Sequence, residues 1–122
     1  MGDATPYRRG DVLLLELPFA DVAGSKARPA LVVQNDTANQ FSGNLIVVAI
    51  SSRIPAQLLP VQYKVTAGSP TAQQAGLLRD SLVDCGIVYT IARQRVRRRL
   101  GSFPPAAMSE IDRCLHVSLA LP

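Results

Sequence analysis

The strongest constraint on the fold is that the apolar runs of this chain are short and rich in β-branched residues. The clearest run spans residues 45–50 and reads Leu-Ile-Val-Val-Ala-Ile, which is typical of a strand buried on both faces of a sheet. Residues 12–17 form a second run, opened by Gly10-Asp11 and closed by Pro18, which disfavours further strand. These runs predict a β-rich fold with residues 45–50 at its centre.

Further strands are predicted along the rest of the chain. Residues 30–34 form another short run, and residues 61–65 alternate apolar and polar side chains, as a half-exposed strand does. Residues 76–83 and 87–91 are predicted as two strands around Asp84-Cys85-Gly86, whose glycine marks a turn or a bulge. Residues 35–44 are predicted to carry a helical turn, and residues 19–27 and 67–74 are predicted to be loops.

The last segment has helical periodicity instead. Its apolar side chains recur every three or four residues, which predicts an amphipathic helix over about residues 105–120. Pro105 suits the first helical position, and Ser102 lies just upstream. Strands first and a helix last predict a mainly β chain, a small and strongly curved β-barrel with a packed C-terminal helix. At 122 residues, the chain is predicted to form one domain over residues 1–122.

Composition indicates a soluble globular protein. Apolar residues make up 48% and charged residues 18%, and no apolar stretch reaches the about eighteen residues that cross a bilayer. The N-terminal residues lack a secretory signal, so we expect a cytoplasmic protein without a membrane partner. Cys85 and Cys114 are expected to be buried free thiols. No histidine or cysteine has a second one at ligand spacing, so no metal site is predicted.

The net charge of +4 includes a local cluster of cations. Such a cluster attracts polyanions or an acidic protein partner. It is equally consistent with a solvated basic loop or strand edge, so by itself it does not establish RNA binding. The cluster consists of Arg93, Arg95, Arg97, Arg98 and Arg99.

One motif places a cation and several hydrogen-bonding groups at the two ends of a short strand. Arg28-Pro29 precede the apolar strand, and Gln34-Asn35-Asp36 end it. Proline fixes its own φ and drives the preceding residue toward an extended conformation, so the Arg28 guanidinium projects from a defined position. A planar cation held in this way suits a phosphate-binding site.

This motif and four others follow one another in the order and spacing of the MazF/PemK toxin family, which the chain resembles over nearly its whole length. The others are Arg9-Gly10-Asp11 and residues 47–52, 76–83 and 111–121. The resemblance implies an SH3-like β-barrel, a homodimer, and an mRNA interferase of a type II toxin–antitoxin system. Such an endoribonuclease cuts single-stranded RNA at a short sequence, needs no metal or other cofactor, and is silenced by a cognate acidic antitoxin.

The resemblance also implies which residues act. Arg28 corresponds to the catalytic arginine of the family, and Ser51 to its threonine at the end of the central strand. Cleavage through the 2′-hydroxyl requires charge neutralisation on the phosphate, which suits a permanently charged arginine. Ser52 replaces Ser51 if the strand ends one residue later, because alternation places only one of them on the cavity face. The candidates for RNA binding are Lys26, Gln34, Asn35, Ser52, Arg53 and Arg79.

The chain departs from the family pattern where many members have an acidic residue followed by Arg-Thr-Ile. Residues 86–91 read Gly-Ile-Val-Tyr-Thr-Ile here, so an acid and an arginine are missing. Asp21 and Asp84 fall in loops near the expected site, but neither is assigned as the general base. There are two alternatives. One is a toxin of the same fold that poisons a protein, as gyrase inhibitors do. The other is an inactive member that only binds a partner.

Overall fold

The computed structural model describes residues 6–16 and 27–122, which contain six strands, three α-helices and one 3₁₀ turn. The strands are β1 (Asp11–Glu16), β2 (Ala27–Val32), β3 (Asn44–Ser51), β4 (Gln62–Val65), β5 (Ser81–Ala92) and β6 (Val96–Ser102). The helices are α1 (Asp36–Phe41), α2 (Pro70–Ala75) and α3 (Pro105–Ser118). A mainly β chain that ends in a helix is therefore confirmed.

All six strands belong to one antiparallel sheet in the order β4-β5-β3-β2-β1-β6. β3 lies inside this sheet, and its side chains enter two hydrophobic clusters of the described residues, Val47 in one and Val48 in the other. The central position predicted for residues 45–50 is confirmed. Within the described residues, no ladder joins β4 to β6, so hydrogen bonds do not close the sheet into a complete barrel.

Several element boundaries differ from those predicted. β2 begins at Ala27 rather than at residue 30, so it includes Arg28 and Pro29 and ends at Val32. The helical turn predicted within residues 35–44 is confirmed as α1, and β4 confirms the strand at residues 61–65. The loop predicted over residues 19–27 lies mostly outside the described residues.

β5 is one long strand where two were predicted. Its pairing with β3 jumps from Val48↔Val88 to Ala49↔Asp84, which leaves residues 85–87 without partners on β3. Such a bulge bends a strand without ending it. Of the two alternatives predicted at Gly86, a turn or a bulge, the structure has the bulge. The strand predicted from residue 76 was wrong over residues 76–80, because the sheet is joined only at Ser81.

α2 forms where residues 67–74 were predicted to be a loop. The Ser69 hydroxyl accepts a hydrogen bond from the Ala72 N–H, Pro70 occupies the first turn, and Gly76 ends the helix with a φ of 71°. These are the normal start and stop signals of a helix. With only six residues, however, α2 is too short to show a clear helical period.

α2 and β6 approach each other so closely that only glycine fits at two positions. A Cβ atom on Gly76 would lie 2.2 Å from the carbonyl oxygen of Leu100, and one on Gly101 would lie 2.1 Å from that of Gln74. Glycine has no Cβ and so permits this contact between backbones. The contact holds the segment after α2 beside the arginine-rich strand β6.

α3 packs its apolar face against the sheet, through Ala107, Ile111, Cys114 and Leu115. It confirms the predicted C-terminal helix, and Pro105 lies in its first turn as expected, preceded by Pro104 at the N-cap. Both cysteines are buried free thiols, as predicted. None of the helices in the described part of the chain is long and apolar enough to span a bilayer.

Candidate functional site

A cavity of about 330 Å³ opens where β1, β2, β3 and β6 meet the segment after α2. No carboxylate of the described residues lines it, so its electrostatic potential is positive and favours an anion such as phosphate. The apolar walls are Leu14, Pro29, Ile50, Gly76, Leu77, Leu78 and Leu100. The polar lining is Arg28, Arg79, Arg98, Ser51, Ser52 and Ser81.

Arg28 and Ser51 reach the cavity from the ends of neighbouring strands. The ladder between β2 and β3 ends at Ala30↔Ala49, next to Pro29, which has no N–H to donate. Carried two residues further, the same antiparallel register places Arg28 opposite Ser51. The Ser51 hydroxyl oxygen accepts the Arg53 N–H at 3.0 Å, which positions the oxygen and leaves the O–H free to donate to a ligand.

Arg79 reaches the cavity from the segment between α2 and β5. The Ser81 hydroxyl donates to the Arg79 carbonyl at 2.9 Å, which fixes the backbone at this position. The neighbouring carboxylate of Asp80 accepts the Ala67 N–H at 2.8 Å. Leu78, just before Arg79, is 93% exposed at the cavity rim.

Arg98 is a lining residue that the sequence analysis left undistinguished within the arginine cluster. On β6 it pairs with Leu14 of β1, which in turn pairs with Pro29 of β2. Directly paired residues lie on the same face of a sheet, so these three form a row along the cavity wall. If β6 had been predicted as a strand, the alternation of side chains would have placed Arg98 on the opposite face of the sheet from Arg97 and Arg99.

The three arginines of the cavity have no acidic partner among the described residues. The described residues form four ion pairs, and none of these includes an arginine of the cavity. No carboxylate of the described residues therefore compensates the charges of Arg28, Arg79 and Arg98. The four pairs are Arg9–Asp112, Arg97–Glu16, Arg99–Asp11 and Arg113–Glu110.

Two predicted RNA-binding residues lie away from the cavity, around the start of α1. Gln34 is buried, and its amide nitrogen donates to Asn39 Oδ1 and to the Asn44 carbonyl, both at 2.9 Å. Asn35 is the N-cap of α1, and its side-chain oxygen accepts the Ala38 N–H at 2.8 Å. Both amides hold this turn in place.

The remaining predicted residues divide by position. Ser52 lines the cavity beside Ser51, whereas Arg53 is exposed and stands outside the described lining. The expectation that only one of the two serines faces the cavity is wrong, because β3 ends at Ser51 and strand alternation does not extend to Ser52.

Lys26 and the candidate base Asp21 lie outside the described residues. Asp84 stabilises the bulge of β5. Its carboxylate accepts hydrogen bonds from the Gly86 N–H at 2.9 Å and from the Gln62 side-chain amide at 3.3 Å.

The Arg9-Gly10-Asp11 motif is structural. Arg9 donates from its side chain to the Val33 carbonyl at 2.8 Å and contacts Asp112 at 2.7 Å. Its backbone N–H donates to Asp36 at 2.7 Å, and this bond lowers the pKa of that carboxyl. The motif thus ties the start of β1 to α1 and α3.

The chemistry available in the cavity is that of permanent cations and hydroxyl donors. Elsewhere, burial raises the pKa of Cys85 to about 12, so this thiol stays protonated at neutral pH and is no nucleophile. Among the described residues, no cluster of histidine, cysteine or acidic side chains is arranged to hold a metal ion. The arrangement suits stabilisation of a negatively charged transition state.

Known proteins match this chain over almost its whole length. Residues 8–119 match the family of PemK-like, MazF-like toxins of type II toxin–antitoxin systems. Endoribonuclease EndoA of Bacillus subtilis (strain 168) is 35% identical over 117 residues, which cover 93% of this chain and 95% of EndoA.

Two solved structures share the fold. An endoribonuclease in complex with its cognate antitoxin, from Mycobacterial species, has a TM-score of 0.74 at 22% identity and covers 95% of this chain and 97% of its own. The MazE-MazF structure (Form-II) from Deinococcus radiodurans has a TM-score of 0.73 at 19% identity and covers 97% and 99%. From the match over residues 8–119 and the identity to EndoA, the chain belongs to the PemK-like, MazF-like toxin family of type II toxin–antitoxin systems.

Proposed function

We propose that this toxin is an endoribonuclease that cuts single-stranded RNA with the scissile phosphate held in the cavity by Arg28 and Ser51. The observation that carries the proposal is the gathering of three arginines without acidic partners and two strand-end serines in one cavity whose described lining has no carboxylate. The relationship to EndoA, a named endoribonuclease, supports the same reaction.

In the proposed reaction the 2′-oxygen attacks the adjacent phosphorus as its proton passes to solvent water, and the bond from phosphorus to the 5′-oxygen breaks. The products are a 2′,3′-cyclic phosphate and a 5′-hydroxyl, once the 5′-oxygen has taken a proton from water. Negative charge builds on the non-bridging oxygens in the transition state. The Arg28 guanidinium offers them two parallel N–H donors, and the Ser51 O–H offers a third.

The proposed reaction needs no metal ion. The Arg28 guanidinium supplies the positive charge that a divalent cation would otherwise bring to the scissile phosphate. The described lining contains no carboxylate that would coordinate such a cation. The described lining also contains no histidine or carboxylate that could act as a general base.

The substrate is proposed to be unpaired RNA read at a short sequence, because proteins recognise RNA sequence mostly in single strands with splayed bases. The proposal includes two protein partners, a second copy of this chain and a cognate acidic antitoxin. Val117, Leu119 and Leu121 at the end of α3 are about half exposed, which is consistent with cover by a second copy. Protein poisoning without RNA cleavage finds no support in relatives named as endoribonucleases.

The experiment that tests this proposal offers the purified protein a single-stranded RNA in EDTA. We expect cleavage with a 2′,3′-cyclic phosphate product, and no cleavage of a matched oligonucleotide with a 2′-deoxy sugar at the cut site. A requirement for magnesium, or equal cleavage of the deoxy substrate, would show that the proposed mechanism is wrong.

A further inference from the structure

The arginine cluster of residues 93–99 is not uniform. Arg93, Arg97 and Arg99 contact other groups of the protein, and Arg98 lines the cavity. Arg95 is exposed at the end of the 3₁₀ turn (Arg93–Arg95) and does not line the cavity.

Arg93 donates to the carbonyls of Asn39 and Ser42 and lies 5.0 Å from the centre of the Tyr7 ring. These contacts hold the 3₁₀ turn against α1. Arg93 is therefore a structural cation.

The two neighbours of Arg98 on β6 are ion-paired with β1. Arg97 pairs with Glu16, and Arg99 lies 3.5 Å from the buried carboxylate of Asp11. Arg98 is exposed, has no acidic partner within the described part of the chain, and lines the cavity that also holds Arg28. On this strand, the charge of Arg98 is thus left for a ligand.

The charge in the cavity exceeds what a single phosphodiester needs. Three guanidinium groups repel one another in this small space, and each phosphate of a nucleic-acid strand carries one negative charge. Arg28 lies on β2 and Arg98 on β6, with β1 between them. At a strand spacing of about 4.8 Å, the two backbones stand about 10 Å apart, which is far enough for the two side chains to serve different phosphates.

We propose that Arg98 binds a phosphate of the RNA next to the scissile one, and so positions the strand across β1 toward the β6 edge of the sheet. This inference rests on the proposed function. Arg98 acts on binding, whereas Arg28 acts on the bond that breaks. It belongs to the RNA-binding surface and not to the structural part of the arginine cluster.

The test compares Arg98→Ala with Arg97→Ala, a control that removes the same charge one residue away but from an exposed ion pair of little energetic value. Binding to a non-cleavable oligonucleotide with a 2′-deoxy sugar at the cut site is measured against salt. Loss of one phosphate contact on a single strand lowers the slope of log affinity against log salt by about 0.7. A slope of this size is roughly a five-fold change in affinity between 0.1 M and 1 M salt.

We expect Arg98→Ala to lower the salt slope by about 0.7 and to raise KM with little change in kcat, whereas Arg97→Ala leaves both unchanged. Arg98→Lys should restore most of the slope, because it restores the charge. A substrate shortened to the scissile phosphate alone should no longer distinguish Arg98→Ala from the wild type.

Equal slopes for Arg98→Ala and Arg97→Ala in a protein that still cleaves RNA would overturn the role of Arg98 and leave the proposed function intact. An unchanged KM on the longer substrate would overturn it as well. If the wild type cleaves no RNA at all, the proposed function itself fails. Thermal melting of each variant establishes that the exposed substitutions leave the fold unchanged.

Discussion

At the scale of single residues, the predicted site residues divide into those that line the cavity and those that stabilise the fold. Arg28 and Ser51, assigned from the family resemblance, line the same cavity. Gln34 and Asn35 belong to the same sequence motif as Arg28, yet their amides satisfy the turn before α1. Residue type and spacing alone do not distinguish these uses, because an amide suits an RNA base and a helix N-terminus equally well.

Ser51 allows a prediction about the second phosphate donor. Ser51→Ala should reduce turnover by less than the about 10²–10³ that loss of a principal transition-state donor commonly costs, because Arg28 still carries the charge. Ser51→Thr should be tolerated, since the hydroxyl is kept. Single-turnover rates measure both effects. Ser52→Ala is the matched comparison, and a larger loss there than in Ser51→Ala would exchange the roles of the two serines.

At the scale of elements, the longer periodic segments were predictable and the short ones were not. β3 and α3 have enough apolar residues at a regular period to reveal their type. α2 is too short to show a helical period. β6 shows no apolar alternation, because its sequence contains three consecutive arginines. β5 is continuous because its bulge bends it where the sequence suggested a break. β6 forms one wall of the cavity together with the segment after α2, so Arg98 was missed with β6.

The contact between α2 and β6 predicts that Gly101 is needed for stability. Gly101→Ala would drive a Cβ into the backbone of residues 74 and 75, and such overpacking costs about 1–3 kcal/mol. Gly43→Ala is the control, because nothing lies within 4 Å of the position of its Cβ. Unfolding in denaturant measures the free energy of unfolding of both variants. Equal stability of the two would mean that the close contact between α2 and β6 does not constrain the fold.

At the scale of the whole molecule, the net charge of +4 has a local counterpart in the cavity, whose arginines the described part of the protein leaves unneutralised. We propose that this charge attracts RNA and an acidic antitoxin to the same place and speeds the association of both. Overall charge and the likeness to toxins were readable from the sequence. The placement of the charge depends on how β6 and the segment after α2 fold together.

The shared charge predicts that the cognate antitoxin and RNA exclude each other. A labelled oligonucleotide with a 2′-deoxy cut site should be displaced from the toxin as antitoxin is added, and added salt should slow antitoxin association. Fluorescence anisotropy follows the displacement, with an unlabelled oligonucleotide as the positive control. Simultaneous binding of RNA and antitoxin would contradict occlusion of the cavity.

The rate of RNA cleavage by folded Arg28→Ala tests the account most directly. We predict a fall of about 10²–10³ in the single-turnover rate, with Arg28→Lys also poor because a point charge does not reproduce a two-pronged phosphate contact. Arg113→Ala, which removes an exposed arginine that pairs with Glu110 on α3 away from the cavity, should keep most of the activity. Full activity in a folded Arg28→Ala protein would contradict the placement of the reaction in this cavity.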